Sequence, residues 1–104
     1  MRVRKSAEFA LIQRGGARWS GRYVVFAYRP VSSSLRFGLS VSRKVGGAVV
    51  RNRVKRHLRE WMRTSQDSFD GLEIVLIARS SASQSDFQTI GDDVAAFLRR
   101  VRQP

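Results

Sequence analysis

Within the nine residues from 51 to 59 stand Arg51, Asn52, Arg53, Lys55, Arg56 and Arg59, the densest cluster of cationic and amide donors in the chain. Guanidinium forks bind phosphate oxygens in pairs and stack on bases. Asn52, set between two arginines, offers amide donors and an acceptor to a base edge, a ribose or a phosphate. Arg43 and Lys44 lie just upstream, the Gly46-Gly47 pair permits a tight turn, and the amides opening a following helix add a positive end of their own. The chemistry open to these residues is polyanion binding. Bond cleavage is a different matter: a protein nuclease needs clustered carboxylates for metal ions, or an acid and a base placed about the scissile phosphate. The acids here are scattered, and His57, the only histidine, stands beside Arg53 and Glu60 without a partner and reads as structural. With no cysteine there is no thiolate metal site, disulfide or thiol nucleophile.

Two elements must position this cluster. On a 3.6-residue helix Val50, Val54, Leu58 and Trp61 fall on one arc and form a core-facing stripe, while the cations fan across the opposite side. A charge run is ordinarily a solvated face, but this one stacks like charges at Arg51/Lys55/Arg59 and Arg59/Arg63, with Glu60 as its only acid. Such repulsion calls for an anion. Just before it, Arg36 to Ser42 alternates as a strand, with Phe37, Leu39 and Val41 on one face and Arg36, Gly38, Ser40 and Ser42 on the other. The second face is small, polar and basic. It suits a nucleic-acid backbone as well as it suits solvent, and it runs directly into Arg43-Lys44 and the helix.

The remaining chain supplies the frame. Residues 1 to 5 read as a mobile basic arm, and Ser6 caps a short helix from Ala7 to about Arg14, where Phe9 and Ile12 share a face and Phe9 is by itself a core residue. Ala17 to Trp19 and Arg22 to Arg29 read as strands, Pro30 ends the run, and Trp19 is a packing residue. Simple alternation cannot put Tyr23 and Tyr28 on the same face, and either could line a cleft. Thr64 to Gly71 reads as a polar connection, Glu73 to Arg79 as a doubly covered central strand, and Ser80 to Ser85 as a loop. Asp86 is the expected N-cap of a last helix with Phe87, Ile90, Val94, Phe97 and Val101 as its stripe. Gly91 should weaken that helix by about 1 kcal/mol relative to Ala. Asp92 and Asp93 are expected to face solvent.

At 104 residues the chain is expected to be one small domain, 1–104, with a mixed sheet and helices packed on it. No stretch approaches the ~20 apolar residues of a membrane span, and the basic start lacks an apolar signal core, so a cytoplasmic protein is expected. The net charge of +12 points to a polyanionic partner. Its placement says more: residues 1 to 65 hold sixteen Lys and Arg against two acids, and residues 66 to 104 hold four against six. Arginine outnumbers lysine seventeen to three, which coding bias could produce in part, but such bias would act on both halves.

The string from Ser40 to Glu60, SVSRKVGGAVVRNRVKRHLRE, resembles the signature region of the bacterial ribonuclease P protein subunit. Arg51-Asn52-Arg53 matches that family's Arg-Asn-Arg motif, Val54-Lys55-Arg56 follows as it does there, and the order of the other elements fits over nearly the whole chain. The resemblance implies an α+β fold: a small α/β sandwich with a mixed four-stranded sheet, about three helices and a left-handed strand-helix-strand crossover, against the usual hand. It implies a subunit of an endonuclease whose catalytic centre is built by a large RNA with magnesium ions, the protein itself holding no cofactor. Its partners would be that catalytic RNA and precursor tRNA, with neither membrane nor DNA involved. Carried over to this chain, Arg51, Asn52, Arg53, Lys55, Arg56 and Arg59 would contact the catalytic RNA. Phe9, Arg36, Ser40, Ser42, Arg43 and Lys44 would line the cleft for the 5′ leader, with Gln13 standing where the family carries a second aromatic. A stand-alone RNA-binding or ribosomal-type protein would account equally well for the charge, the helix and the small groove. A helix-turn-helix DNA binder would need a helix where the strand 36 to 42 stands.

Overall fold

A computed structural model of the chain describes residues 16–102. Four strands, β1 (Ala17–Ser20), β2 (Val24–Pro30), β3 (Arg36–Ser40) and β4 (Leu72–Ala78), form one sheet in the order β1-β2-β4-β3. The β1/β2 and β2/β4 pairs are antiparallel and β3/β4 is parallel, so the sheet is mixed as expected. Helix α1 (Ala48–Thr64) connects the parallel pair, and helix α2 (Phe87–Arg102) follows β4. The fold is α+β with two main helices; the expected helix from Ala7 to Arg14 and the arm 1 to 5 lie outside the described residues.

Period-two alternation divides the sheet's faces. Val24, Phe26, Ile74 and Leu76 are fully or almost fully buried in the main core, and Phe37 and Leu39 pack against it from β3. Val54, Leu58 and Met62 of α1 and Ile90, Val94 and Phe97 of α2 close that core. Phe97 is its hub: it stacks on Phe26 at 4.3 Å and 9°, meets Tyr28 edge-on at 5.0 Å, and has Phe69 at 5.5 Å. Phe69 belongs to a 3₁₀ turn (Gln66–Phe69), so the connection expected to be merely polar contributes a buried ring. Trp19 packs between Phe26 and Phe97, in keeping with a structural role. Both tyrosines are packing residues too, Tyr23 buried and Tyr28 half-buried against the core.

Two contacts revise the expected helix faces. Met62, eight residues after Val54, completes the α1 stripe, while Trp61 turns sideways onto α2. Its indole stacks on Phe87 at 4.6 Å, its Nε1 donates to the Phe87 carbonyl at 2.7 Å, and its ring lies on Gly91. A Cβ at Gly91 would collide with that ring, so the glycine that looked like a weakness in α2 is what lets the helices approach.

Asp93 is the second revision. It is 6 % exposed, and its carboxylate accepts the backbone N–H groups of Arg22 at 3.0 Å, Tyr23 at 2.7 Å and Val24 at 3.0 Å. Three residues past Ile90 and four before Phe97, it lies on the buried side of α2, where an acid is tolerated because the β1–β2 turn supplies donors to satisfy it. Gly21 makes room for it: a Cβ there would stand 2.6 Å from Asp93 Oδ2. Asp86 behaves as expected of a cap. Its Oδ1 accepts the Thr89 N–H at 2.8 Å, and its own N–H donates to Thr89 Oγ1 at 2.9 Å. The Thr89 backbone N–H, and after it the Thr89 hydroxyl, hold the Asp86 carboxyl below the usual carboxylate range.

Two stability predictions follow from these contacts. Gly91→Ala, which helix propensity alone would make favourable by about 1 kcal/mol, is expected to destabilise by about 2 kcal/mol because the indole has nowhere to go, and Trp61→Leu in the same chain should relieve most of that loss. Asp93→Ala strands three backbone donors and is expected to cost about 3 kcal/mol. Urea unfolding followed by far-UV circular dichroism measures both, and a neutral Gly91→Ala would show that the helices do not approach as described.

Candidate nucleic-acid interface

Helix α1 is anchored by Val54, Leu58 and Met62, with Val50 and Trp61 packed at the edges of that stripe, and turns its opposite side outward. Asn52, Arg56 and Arg59 are exposed, and Arg51, Arg53 and Lys55 are half-buried along the flanks. No acid occupies the first turn, the N-cap Gly47 provides no side-chain cap, and the dipole's positive end therefore adds to the side-chain charge. Among the described residues none of these cations is paired with a carboxylate; the ion pair Arg29–Glu73, at 2.8 Å, is on the sheet. Val49, 84 % exposed, adds an apolar surface to the same first turns. Sequence reading missed it because a valine beside Val50 looks like part of the stripe.

The arginines of the motif are not equivalent. Arg53 donates from Nη2 to the Ser83 carbonyl at 2.9 Å, whereas the Arg51 side chain makes no hydrogen bond among the described residues. The Nε atoms of both are buried without a partner. His57 packs edge-on against Phe87 at 5.7 Å. Burial, and then the neighbouring Arg56 and Arg53, push its pKa below the usual 6.5 against a weaker opposing pull from Asp86, so the ring is neutral at pH 7. Its Nδ1 is buried without a hydrogen-bond partner. A neutral imidazole packed on a phenyl ring fits the structural reading of this residue.

The other half of the site is the sheet face turned away from the main core. Register stacks three rows across it: Arg36, Glu73 and Arg29 at one end, Gly38, Val75 and Ala27 in the middle, Ser40, Ile77 and Val25 beyond. The middle row is small and buried: Ala27 and Val75 form a second hydrophobic cluster with Ile77 packed against it, and Gly38 is buried beside them. At the end where β3 and β4 both finish, a groove of about 540 Å³ is lined by Ser40, Ser42, Arg43 and Lys44 together with Ile77, Ala78, Arg79 and Ser80. Four of the six expected leader-side residues thus meet in one place. Arg36 stands at the opposite end of β3, beside Glu73, and Phe9 lies outside the described residues. Arg79 and Ser80 were missed by sequence reading, since nothing in the run Glu73 to Arg79 announces which strand lies beside it.

The groove and the helix are joined by a short turn. The Val45 N–H donates to the Ser42 carbonyl at 3.1 Å and the Gly46 N–H to the Arg43 carbonyl at 3.2 Å, with Val45 buried beneath. Gly46 has φ of 152°, a conformation side chains rarely adopt, and a Cβ there would press on Val50 at 3.1 Å. This glycine turns the chain from the groove into the helix.

The sequence model of the family described as Ribonuclease P matches residues 1–102. The ribonuclease P protein component of Caldanaerobacter subterraneus is 34% identical over 102 residues, covering 96% of this chain and 88% of its own. That of Exiguobacterium sibiricum is 37% identical over 102 residues, covering 95% and 88%. Among solved structures, the ribonuclease P protein of Staphylococcus aureus superposes with a TM-score of 0.82 at 29% identity over 97% of this chain and 94% of its own. The Thermotoga maritima protein gives 0.80 at 31% identity over 99% of both. With the signature string, the sheet order and full-length relatives all agreeing, the chain belongs to the ribonuclease P protein family and is the protein subunit of the ribonucleoprotein that matures tRNA 5′ ends.

Proposed function

We propose that the two halves of the basic surface take two different RNAs: α1 binds the catalytic RNA, and the groove at the ends of β3 and β4 receives the single-stranded 5′ leader of precursor tRNA. The observation that carries this reading is their continuity. Ser40 and Ser42 line the groove, Arg43 and Lys44 form its rim, and the Gly46 turn leads straight into α1. An RNA held on the helix and a strand lying in the groove would therefore be neighbours with a fixed relation.

Arg51, Asn52, Lys55, Arg56 and Arg59 are the catalytic-RNA contacts of this reading, with Val49 against a ribose or base. Five such contacts, four of them cationic, would make binding fall with salt with a log–log slope on the order of three to four. Ser40, Ser42, Arg43 and Lys44, joined by Arg79 and Ser80, are the leader contacts, with Arg36 continuing the path along β3. Hydroxyls can bond phosphate or ribose. Phe9 remains a leader-side candidate on the family resemblance alone. The protein's contribution to hydrolysis is then positioning and the screening of phosphate repulsion where two RNAs meet.

Magnesium belongs, on this reading, to the RNA. Among the described residues no three His, Asp or Glu side chains converge, and the carboxylates of Asp93 and Asp86 are already engaged by backbone amides. No step is assigned to a metal held by the described residues. Among the described residues no helix is long and apolar enough to cross a membrane.

Two substitutions separate the halves. Arg56→Glu is expected to weaken binding to ribonuclease P RNA by more than about tenfold near 0.1 M salt and to flatten its salt dependence, leaving the preference for precursor over mature tRNA intact. Ser40→Glu places a negative charge in the groove and should lower that preference by about tenfold while the protein binds its RNA normally. Equilibrium binding of the reconstituted holoenzyme to precursor and mature tRNA measures both; if each substitution affected the two tRNAs alike, the groove assignment would be wrong.

A further inference from the structure

Arg53 does something its neighbours in the motif do not. Its Nη2 donates to the carbonyl of Ser83, 30 residues away, at 2.9 Å. Ser83 belongs to a 3₁₀ turn (Ser80–Gln84) whose first residue, Ser80, lines the groove together with Arg79. That wall is fastened from behind to the β1–β2 turn. The Arg79 N–H donates to the Tyr23 carbonyl at 2.8 Å, Arg79 Nη1 to the Gly21 carbonyl at 2.9 Å, and Ser81 Oγ to the Arg22 carbonyl at 3.0 Å. Ala82 is buried beneath the turn, and its N–H closes back on the Arg79 carbonyl at 2.8 Å. From the side of α1, Arg53 is the one side chain among the described residues whose hydrogen bond reaches the turn. The Arg51, Arg56 and Arg59 side chains make no hydrogen bond within the described part of the chain.

We propose that Arg53 is a positioning residue that braces the wall of the leader groove against the catalytic-RNA helix, rather than an ordinary phosphate contact. The inference rests on the assignment of the groove to the leader. Packing of Ala82 fixes how deep the turn sits, and the Arg53 fork fixes how it is presented. One Nη2 hydrogen is committed to a backbone carbonyl and Nε is buried, so the side-on Nε/Nη2 fork is closed to phosphate while the brace stands. Through it, the helix gripped by one RNA and the wall that meets the other move as a unit.

The test uses holoenzyme reconstituted on ribonuclease P RNA with three variants: Arg53→Ala, Arg56→Ala and Ser40→Glu. For Arg53→Ala the salt slope of binding to the RNA is expected to match the unaltered protein, while the preference for precursor over mature tRNA falls about fivefold. For Arg56→Ala the slope should drop by roughly one counterion with the preference retained. A slope lowered in Arg53→Ala as in Arg56→Ala overturns the brace and makes Arg53 a phosphate contact. If Ser40→Glu lowers the preference and Arg53→Ala leaves it unchanged, the brace is wrong and the groove assignment stands; if neither moves it, the groove assignment itself has failed. A second measurement needs no RNA. Hydrogen exchange at the Ala82 and Ser85 amides of the free protein should quicken severalfold in Arg53→Ala while Phe26 and Leu76 stay protected, and unchanged protection at Ala82 and Ser85 would equally overturn the brace.

Discussion

The parallel pairing of β3 with β4 is the constraint from which the rest of the molecule follows. Antiparallel neighbours can be joined by a tight turn, but parallel ones need a crossover, and here the crossover is the basic helix. Parallel strands also end on the same side. Ser40 and Ser42 therefore come to lie beside Ala78, Arg79 and Ser80, and the groove opens where both strands finish, the place where open sheets with crossovers commonly bind ligands. One pairing choice thus delivers the helix, the groove and their adjacency.

The core holds this arrangement from one side. Phe26, Phe69 and Phe97 interlock with the aliphatic stripes of both helices, while the other sheet face carries the smaller buried cluster of Ala27 and Val75 and meets the groove at Ser40. Packing alone would not set the angle at which α2 meets the sheet. That is the work of Asp93, whose carboxylate gathers three amides of the β1–β2 turn, and of the Trp61–Gly91 contact that brings the two helices together. Each makes a local rule look broken, an acid in a core stripe and a glycine in a helix. Each is explained by a partner distant in sequence.

The charge asymmetry between the halves of the chain has the same physical meaning at two levels. Acids of the second half are taken up by folding: Asp93 by the turn, Asp86 by its cap, Glu73 by Arg29. Cations of α1 have no such partners among the described residues, apart from Arg53 and its carbonyl. Their mutual repulsion is a standing cost that bound RNA removes, which is why a surface so poor in internal pairs belongs to a protein that works inside a ribonucleoprotein.

The sequence by itself determined the chemistry: the cationic face of α1, the alternating polar face of β3, the Gly46 turn and the signature string are all local patterns, set by residues within a few positions of one another. The strands and both main helices were legible for the same reason, since period and capping are short-range properties; Asp86 as an N-cap is an instance. Tertiary structure decided what depends on strand order and long-range partners. It brought Arg79 and Ser80 into the groove, turned Trp61 onto Gly91, buried Asp93, and separated Arg53 from the other arginines of its motif. No window along the chain contains both Arg53 and Ser83, or both Asp93 and the Tyr23 amide, and the free energy that pairs them arises only once the sheet has brought them together.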